Sequence, residues 1–180
     1  MLYEFDGRTP QVADGAYVSD TATVIGDVVI GPHCYIGHGA ILRGDYGRIE
    51  IGPGTAVEEG VIIHAPPERV CRIGEKVTLG HGAVIHGQRL GDCSVVGMGA
   101  VLSILSEIGE WTIVAEGAVV KIGQAIPDGM VAVGNPAAVV REIADRDREM
   151  WSGGKQIYID LAEKYLRVGL HPVAPDGRNG

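Results

Sequence analysis

The stretch GHGAVIHG, at positions 80–87, places His81 and His86 five residues apart, while His64 precedes them by a longer interval. Neighbours on one helix face lie three or four residues apart, and residues on one side of a strand have an even separation. Neither element therefore brings His81 and His86 together. Three converging imidazoles would hold a zinc ion and leave its fourth position open for water, as in catalytic zinc sites. The alternative is that these histidines occupy surface positions or hydrogen-bonded core positions.

Aliphatic residues recur every six positions along most of the chain, and the residue after each is often glycine. Alternating strands have a period of two and helices a period of 3.6, so a period of six indicates a parallel β-helix, in which each hexapeptide forms one short flat side and a turn. The repeat covers residues 12–136. Its positions are Val18, Val24, Ile30, Ile36, Leu42, Ile51, Val57, Ile63, Ile73, Leu79, Ile85, Leu90, Val96, Leu102, Ile108, Val114, Val120 and Ile126.

Counting these steps shows which histidines share a face. Three steps, about 18 residues without insertions, return the chain to the same face one coil further on. Small insertions follow Leu42 and Ile63, and with them Leu42, Ile63 and Ile85 stack. The residues that follow them form a column with a spacing of ~4.8 Å: Arg43, His64 and His86.

The third histidine falls on the preceding side of the prism. Val57 and Leu79 stack there, so Glu59 and His81, two positions later in each coil, are also neighbours. His81 then lies around a corner from His86, and one chain does not place it on the His64–His86 pair. A neighbouring chain in a closed ring would, because cyclic symmetry sets one face of a subunit against another face of its neighbour. A homotrimer is the assembly that best fits a three-sided prism.

Composition excludes several classes of partner. The net charge is −8 and no Lys/Arg cluster stands out, which argues against nucleic acid and anionic membranes. The N-terminus shows no secretory signal pattern, and no apolar run reaches the length of a membrane span. Three cysteines without CxxC spacing predict reduced thiols in a cytoplasmic protein.

The chain divides by pattern into three parts. Residues 1–141 are predicted to form the β-helix domain with the metal site, 142–170 a helical segment, and 171–180 a loose tail. The segments IADRDREMW and KQIYIDLAEKYLRV predict two helices separated by the breaker SGG at 152–154. The predicted fold is therefore an all-β parallel β-helix with an α-helix packed along its outside.

Together these motifs resemble the γ-class carbonic anhydrase family over nearly the whole chain. The resemblance rests on ILRGDYGRIEIGPGTAVEEGVIIHAPP, IGEKVTLGHGAVIHG and VVGMGAV. It implies a left-handed, single-stranded β-helix and a homotrimer with Zn²⁺, or Fe²⁺ in some members, at each subunit interface. It also implies that His64 and His86 come from one subunit and His81 from the next.

The resemblance assigns roles to further residues. Arg43 and Asp45 would form interface ion pairs that hold the site together. Glu58 and Glu59 stand where the family usually has Gln and Asp, and Glu59 keeps a carboxylate able to pair with an arginine across the interface. Glu58 replaces an amide donor by a charged acceptor, which would orient the reactive water. Tyr158 corresponds to a tyrosine that reaches the pocket from the C-terminal helix.

The leading hypothesis for function is reversible hydration of CO₂ to bicarbonate by water activated on the metal. The loop after His64 contains Glu68 but no acidic cluster for moving protons, so slow turnover is expected. Three alternatives remain. They are metal-dependent acyl-CoA thioester hydrolysis, metal-free acyl transfer with a histidine as general base, and a non-catalytic metal-binding or scaffold protein.

Overall fold

The chain folds into a left-handed parallel β-helix with one α-helix along its outside, in a computed structural model that describes residues 1–173. The predicted fold class is confirmed. Within the described residues the strands are short, because each flat side of a coil is only a few residues long before the chain turns. Two longer strands, β4 (Thr23–Ile30) and β6 (Ile41–Ile51), bend around a corner and contribute to two faces.

The strands form the three faces of a prism, and each coil visits the faces in the same order. The covered face contains β3 (Tyr17–Val18), β5 (Tyr35–Ile36), β7 (Ala56–Val57), β10 (Thr78–Leu79), β13 (Val95–Val96), β16 (Ile113–Val114), β19 (Met130–Val133) and the antiparallel β20 (Ala138–Glu142). The histidine face contains β1 (Leu2–Tyr3), the first parts of β4 and β6, β8 (Ile62–His64), β11 (Val84–Ile85), β14 (Val101–Leu102) and β17 (Val119–Val120). The charged face contains β2 (Gln11–Val12), the second parts of β4 and β6, β9 (Val70–Ile73), β12 (Arg89–Leu90), β15 (Glu107–Ile108) and β18 (Ala125–Ile126).

Aliphatic columns fill the interior of the prism. On the histidine face Leu42 pairs in register with Ile63, and Ile63 with Ile85, and all three are fully buried. The stack predicted from the six-residue count is therefore confirmed. Corresponding columns run beneath the other two faces, so the core is one continuous stack of Ile, Leu, Val and Ala side chains.

The first insertion lies at a corner of the coil. It falls inside β6, opposite a shift of register in β4 between Gly26 and Val28. A Cβ on Gly44 would lie 2.5 Å from the carbonyl oxygen of Asp27, closer than packed atoms approach, so the backbone at this corner admits only glycine. The Arg43–Gly44–Asp45 sequence thus combines a corner that needs glycine with two charged side chains.

The C-terminal segment is one helix, α1 (Asp145–Val168), and the prediction of two helices is wrong. It runs unbroken through Gly153 and Gly154, each of which costs only about 1 kcal/mol in a helix interior. Packing of α1 against β3, β5 and β7 on the covered face outweighs that cost, with Lys155 and Ala162 buried in the contact. Of the predicted tail, residues 174–180 lie outside the described part of the chain.

The outward sides of the three faces differ in character. Helix α1 covers one of them, and ion pairs such as Arg48–Asp27 (2.7 Å) and Arg72–Glu50 (3.1 Å) cover the charged face. The histidine face instead presents an apolar column to the outside, which consists of Ile41, Ile62, Val84, Val101 and Val119. Ile41 and Ile62 are about two-fifths exposed, at 38% and 41%. Large apolar groups aligned on an open face are typical of a surface that associates with another protein.

The cysteines are free thiols, and burial raises the pKa of Cys34 to about 11 and that of Cys71 to about 12. Such thiols stay protonated and behave as small apolar groups in the core. In residues 1–173 no helix is both long enough and apolar enough to cross a bilayer.

We expect Ile63→Ala to lower the free energy of unfolding by about 2–5 kcal/mol, because it opens a cavity in the column beneath the histidine face. Chemical denaturation measures this loss. The matched control is Ile122→Ala, at a side chain that is 72% exposed, where the change is expected to stay within about 0.5 kcal/mol. Equal losses in the two variants would contradict the stacked core.

Candidate metal centre

His64 and His86 are neighbours on the histidine face. His64 ends β8 beside Arg43 of β6, and His86 follows β11, which pairs with β8. The Nδ1 atom of His64 lies 3.1 Å from the Nε2 atom of His86, and the ring centroids are 4.8 Å apart. The structure thus contains the Arg43, His64 and His86 column that the repeat count predicts.

Both imidazoles are held in the neutral form. Partial burial lowers the pKa of His64 and of His86, and the guanidinium of Arg43 lowers both further. Neutral imidazole is the form that binds a metal ion. The remaining nitrogen of His64, Nε2, is buried without a hydrogen-bond partner, and its nearest acidic atom is Oδ1 of Asp45 at 3.6 Å.

Arg43 and Asp45 form a tight pair beside the histidines. The Arg43 Nη1 atom donates to Oδ2 of Asp45 at 2.7 Å, and the Tyr46 backbone N–H donates to the other oxygen at 3.0 Å. Burial alone would raise the pKa of Asp45, but the hydrogen bond and charge of Arg43 outweigh it and the pKa is lowered. Asp45 is therefore an ionised acceptor on the far side of His64 from His86. At 3.6 Å its Oδ1 atom is too far from Nε2 of His64 for a hydrogen bond, but a small movement of either side chain would let it accept the Nε2–H and keep Nδ1 free as a lone pair.

His81 lies apart from this pair, in the turn after β10. Its Nδ1 atom lies 2.8 Å from Oε2 of Glu59, and its Nε2 atom lies 3.1 Å from Oε2 of Glu58. The proximity of Glu59 and His81 agrees with the repeat count. Within one chain, residues 1–173 bring no three His, Cys, Asp or Glu side chains together as a set able to hold a metal ion.

Glu58 and Tyr158 meet beside His81. Glu58 is 5% exposed, and its burial raises its pKa even though the neighbouring imidazole of His81 opposes the shift. Burial and the charge of Glu58 also raise the pKa of the Tyr158 hydroxyl. Tyr158 therefore stays protonated next to the carboxylate, so helix α1 does bring this tyrosine to the predicted site residues.

Tyr35 is a site residue that the sequence analysis missed. Its hydroxyl donates to Oε1 of Glu59 at 2.6 Å, while the other oxygen of Glu59 faces His81. Both carboxylate oxygens of Glu59 are thus engaged within its own chain. The repeat count would have pointed to Tyr35, because it places Tyr17 and Tyr35 at the same position of adjacent coils on the covered face. The structure pairs these two tyrosines in register.

An aromatic cluster holds Tyr35 and Tyr158 in place. The Tyr35 ring lies 5.3 Å from that of Tyr158 and 5.6 Å from that of Tyr17, and Tyr17 stacks on Tyr165 at 4.6 Å. His38 lies at the edge of this cluster and shares a hydrogen bond with Ser19 at 2.6 Å. The cluster joins helix α1 to the covered face and thereby sets the position of both acidic residues next to His81.

The His64–His86 pair fits a metal ion. Two nitrogens bound to tetrahedral zinc at about 2.0–2.1 Å are about 3.3 Å apart, and the observed separation is 3.1 Å. Two neutral nitrogens that face each other at this distance need either a shared proton or a cation between them. The donor set of imidazole nitrogens suits Zn²⁺ or Fe²⁺, and a catalytic zinc site takes a third protein ligand in addition to such a pair.

Comparison with known proteins shows relatives over almost the whole chain. No family model matches. The chain is 36% identical over 173 residues to the carnitine operon protein CaiE of Escherichia coli strain K12, covering 96% of this chain and 88% of that protein. It is 37% identical over 169 residues to the mitochondrial gamma carbonic anhydrase 2 of Arabidopsis thaliana, covering 91% of this chain and 60% of that protein.

Solved structures give the same answer for the fold. A hexapeptide transferase family protein from Anaplasma phagocytophilum superposes with a TM-score of 0.86 at 30% identity, covering 91% of this chain and 97% of that one. A Bacillus cereus protein described as a candidate acetyltransferase gives a TM-score of 0.90 at 28% identity, with 93% and 97% covered. The relatives therefore include proteins named for carbonic anhydrase chemistry and for acyl transfer.

The hydrogen bond from Tyr35 to Glu59 predicts a pH-dependent loss of stability in Tyr35→Phe. That bond lowers the pKa of Glu59 against the opposing effect of burial. The stability it contributes is therefore present above the unfolded-state pKa of a glutamate, about 4.3, and is lost as the pH falls through the folded-state value. We expect Tyr35→Phe to be less stable by about 1–3 kcal/mol at pH 7, with a smaller difference below roughly pH 4. Chemical denaturation at both pH values measures it.

The matched control is Tyr17→Phe, which keeps the stacked rings and removes a hydroxyl that does not bond to Glu59. We expect no such pH dependence in that variant. A Tyr35→Phe loss that is the same at both pH values would show that the hydroxyl does not act through the Glu59 carboxylate.

Proposed function

This chain belongs to the γ-class carbonic anhydrase-like family of hexapeptide-repeat proteins, and we propose that it catalyses a slow, reversible hydration of CO₂ to bicarbonate at Zn²⁺ or Fe²⁺ sites shared between the subunits of a homotrimer. The observation that carries the proposal is the separation of the ligands. His64 and His86 face each other at 3.1 Å with neutral rings, while His81 lies apart from them with two carboxylates of its own.

A shared site follows from the positions of these ligands. His81 projects from the corner between the covered face and the histidine face, and is 46% exposed in one chain. The apolar column of Ile41 and Ile62 on the histidine face is uncovered and suits contact with a second copy. In a closed ring the same contact is repeated at every subunit, so each His64–His86 pair would meet the His81 of a neighbouring chain.

The residues around the histidines would orient them. Asp45, fixed by Arg43, would accept the Nε2–H of His64 and present Nδ1 to the metal. Glu59, fixed by Tyr35, would accept the Nδ1–H of His81 and leave Nε2 available once Glu58 moves from it. A zinc ion held by three neutral imidazoles supplies Lewis acidity that lowers the pKa of water at its open position to about 7.

Glu58 and Tyr158 would handle the proton beside the open position. Glu58 is buried and its pKa is raised, so it is a better proton acceptor than an exposed glutamate. The pKa of the Tyr158 hydroxyl is raised beside this carboxylate, so the hydroxyl stays protonated and can donate to Glu58. Beyond these groups the loop after His64 carries a single acidic residue, Glu68, so buffer must remove most protons and turnover is expected to be slow.

Acyl transfer is the second candidate, and the geometry of the histidine pair also supports it. Without a metal, the 3.1 Å contact between His64 and His86 becomes a hydrogen bond, and Asp45 stands behind His64. A base oriented by a second group in this way is a common arrangement for activating a nucleophile. Two of the solved relatives are described as transferases. The thioesterase alternative needs the metal site and is tested with an acyl-CoA in place of CO₂.

The first experiment measures metal per chain and oligomer mass on protein purified without chelator or metal-affinity resin. We expect a trimer with about one zinc or iron per chain, and loss of the metal in His81→Ala, because one of three ligands is removed from every site. His171→Ala, at an exposed position after helix α1, is the matched control and should keep the metal.

Enzyme assays then separate the candidates. CO₂ hydration that disappears with the metal in His81→Ala supports the proposal. A metal-free trimer that takes up neither Zn²⁺ nor Fe²⁺ contradicts it. Acyl transfer that persists in His81→Ala and disappears in His86→Ala would favour the second candidate instead.

A further inference from the structure

A cavity of about 240 Å³ lies between helix α1 and the covered face, away from the three candidate ligands. None of its lining residues contacts His64, His81 or His86 in the hydrogen bonds and ion pairs of that site. The lining consists of Lys76, Cys93, Trp111, Ser152, Lys155, Gln156 and Ile159.

Lys155 gives this cavity a buried positive charge. The residue is 3% exposed, and its ammonium donates to Oγ1 of Thr78 and to the carbonyl oxygen of Ser94, each at 3.2 Å. An ammonium has three protons to donate, so one is left over. Within the described part of the chain no carboxylate lies within ion-pair distance of Lys155.

Burying an ammonium in this position is costly because its two hydrogen-bond acceptors are neutral and no carboxylate balances its charge. Burying a charge without a partner is strongly unfavourable, and proteins normally pair such groups or neutralise them. The pKa of Lys155 accordingly falls to about 8, chiefly through burial. An anion in the cavity would supply the missing counter-charge.

The lining adds one further cation and includes no Asp or Glu, although Asp92 and Glu75 act on Cys93 from outside the lining. Lys76 is a second lysine in the lining, and the guanidinium of Arg148 lies 4.8 Å from the ring centroid of Trp111. The nearby carboxylate of Asp92 accepts a hydrogen bond from the backbone N–H of Glu75 at 2.9 Å. Burial raises the pKa of Cys93, so its thiol is neutral and does not compete with an anion.

The apolar part of the lining favours an anion that carries a hydrocarbon group. Trp111 and Ile159 provide flat and branched hydrocarbon surfaces next to the ammonium. Inorganic anions would leave those surfaces unfilled, whereas a short-chain carboxylate would place its charge on Lys155 and its tail against them. The Lys155 ammonium also lies 5.8 Å from the ring centroid of Trp151.

We propose that this cavity is a binding site for a small monocarboxylate with a short apolar tail, in which Lys155 is the central cation. The site is separate from the candidate metal centre and does not depend on the function proposed for it. Lys76 would assist as a second positive charge, and Trp111 and Ile159 would hold the tail.

The two tryptophans of the chain, Trp111 and Trp151, both lie at this site, so intrinsic fluorescence reports on it directly. The experiment titrates the full chain with sodium butyrate and follows tryptophan emission, with sodium chloride added to keep ionic strength constant. We expect a saturable change in emission. Lys155→Met keeps the chain length and removes the charge, and should weaken binding by about tenfold or more.

The matched control is Lys164→Met, which removes an exposed lysine from the same helix and should leave binding unchanged. Ile159→Phe is a second test that keeps Lys155 but fills the cavity from the apolar side, and it should abolish binding. Lys155→Met, Lys164→Met and Ile159→Phe are all checked for wild-type far-ultraviolet circular dichroism before titration.

The proposal is overturned by any of three results. The first is a response to butyrate that does not saturate and equals the response to chloride. The second is wild-type affinity in the folded Lys155→Met and Ile159→Phe variants. The third is binding of phosphate as tight as that of butyrate. The last result would identify an inorganic anion site without selection for an apolar tail.

Discussion

Each aliphatic side chain of the core rests on its equivalent one coil away, and this in-register stacking determines where the functional side chains lie. Leu42, Ile63 and Ile85 form one such stack, and hydrogen bonds between the parallel strands hold it at a fixed spacing. A slip by one residue would turn every core side chain outward, so the register is strongly specified. Residues far apart in sequence thereby become direct neighbours, and His64 and His86 meet for this reason.

The same stacking keeps the third histidine away. His81 occupies the corner before the histidine face, and one coil cannot supply two side chains to the same point of a column. Its environment differs as well, since Glu58 and Glu59 flank His81 while burial and Arg43 keep His64 and His86 neutral. In the proposed site one chain would supply the neutral pair, His64 and His86, and a neighbouring chain would supply His81 as the third ligand. Assembly of several copies is what would join them.

The neighbours of most candidate site residues could be predicted from the sequence, because a period of six assigns each residue to a face and to a column of the β-helix. The pairing of Arg43 with His64 and the contact of Glu59 with His81 both follow from counting coils. The continuous helix through Gly153 and Gly154 did not follow, since its stability comes from packing on the covered face and not from local propensity.

The contacts made by the side chains of helix α1 could not be predicted from the sequence. Lys155 reaches Thr78 and Ser94 only because the helix packs on the prism in one position and one orientation. No periodicity specifies that docking, because it depends on the fit of large side chains such as Tyr165 on Tyr17. The contacts of helix α1 were therefore harder to predict than the positions of the candidate ligands.

The central claim is that each metal site takes two ligands from one chain and the third from another, and mixed assemblies of His64→Ala and His81→Ala test it most directly. Neither variant alone can build a complete site, but a His81→Ala chain can supply His64 and His86 to a His64→Ala chain that supplies His81. In randomly mixed trimers of equal amounts, about one quarter of the interfaces are complete. The account predicts that metal content and activity return to about that fraction of wild type, and that a mixture of His64→Ala with His86→Ala recovers nothing. A His64→Ala and His81→Ala mixture that stays as empty as its components, in trimers shown to contain both chains, would contradict the shared site.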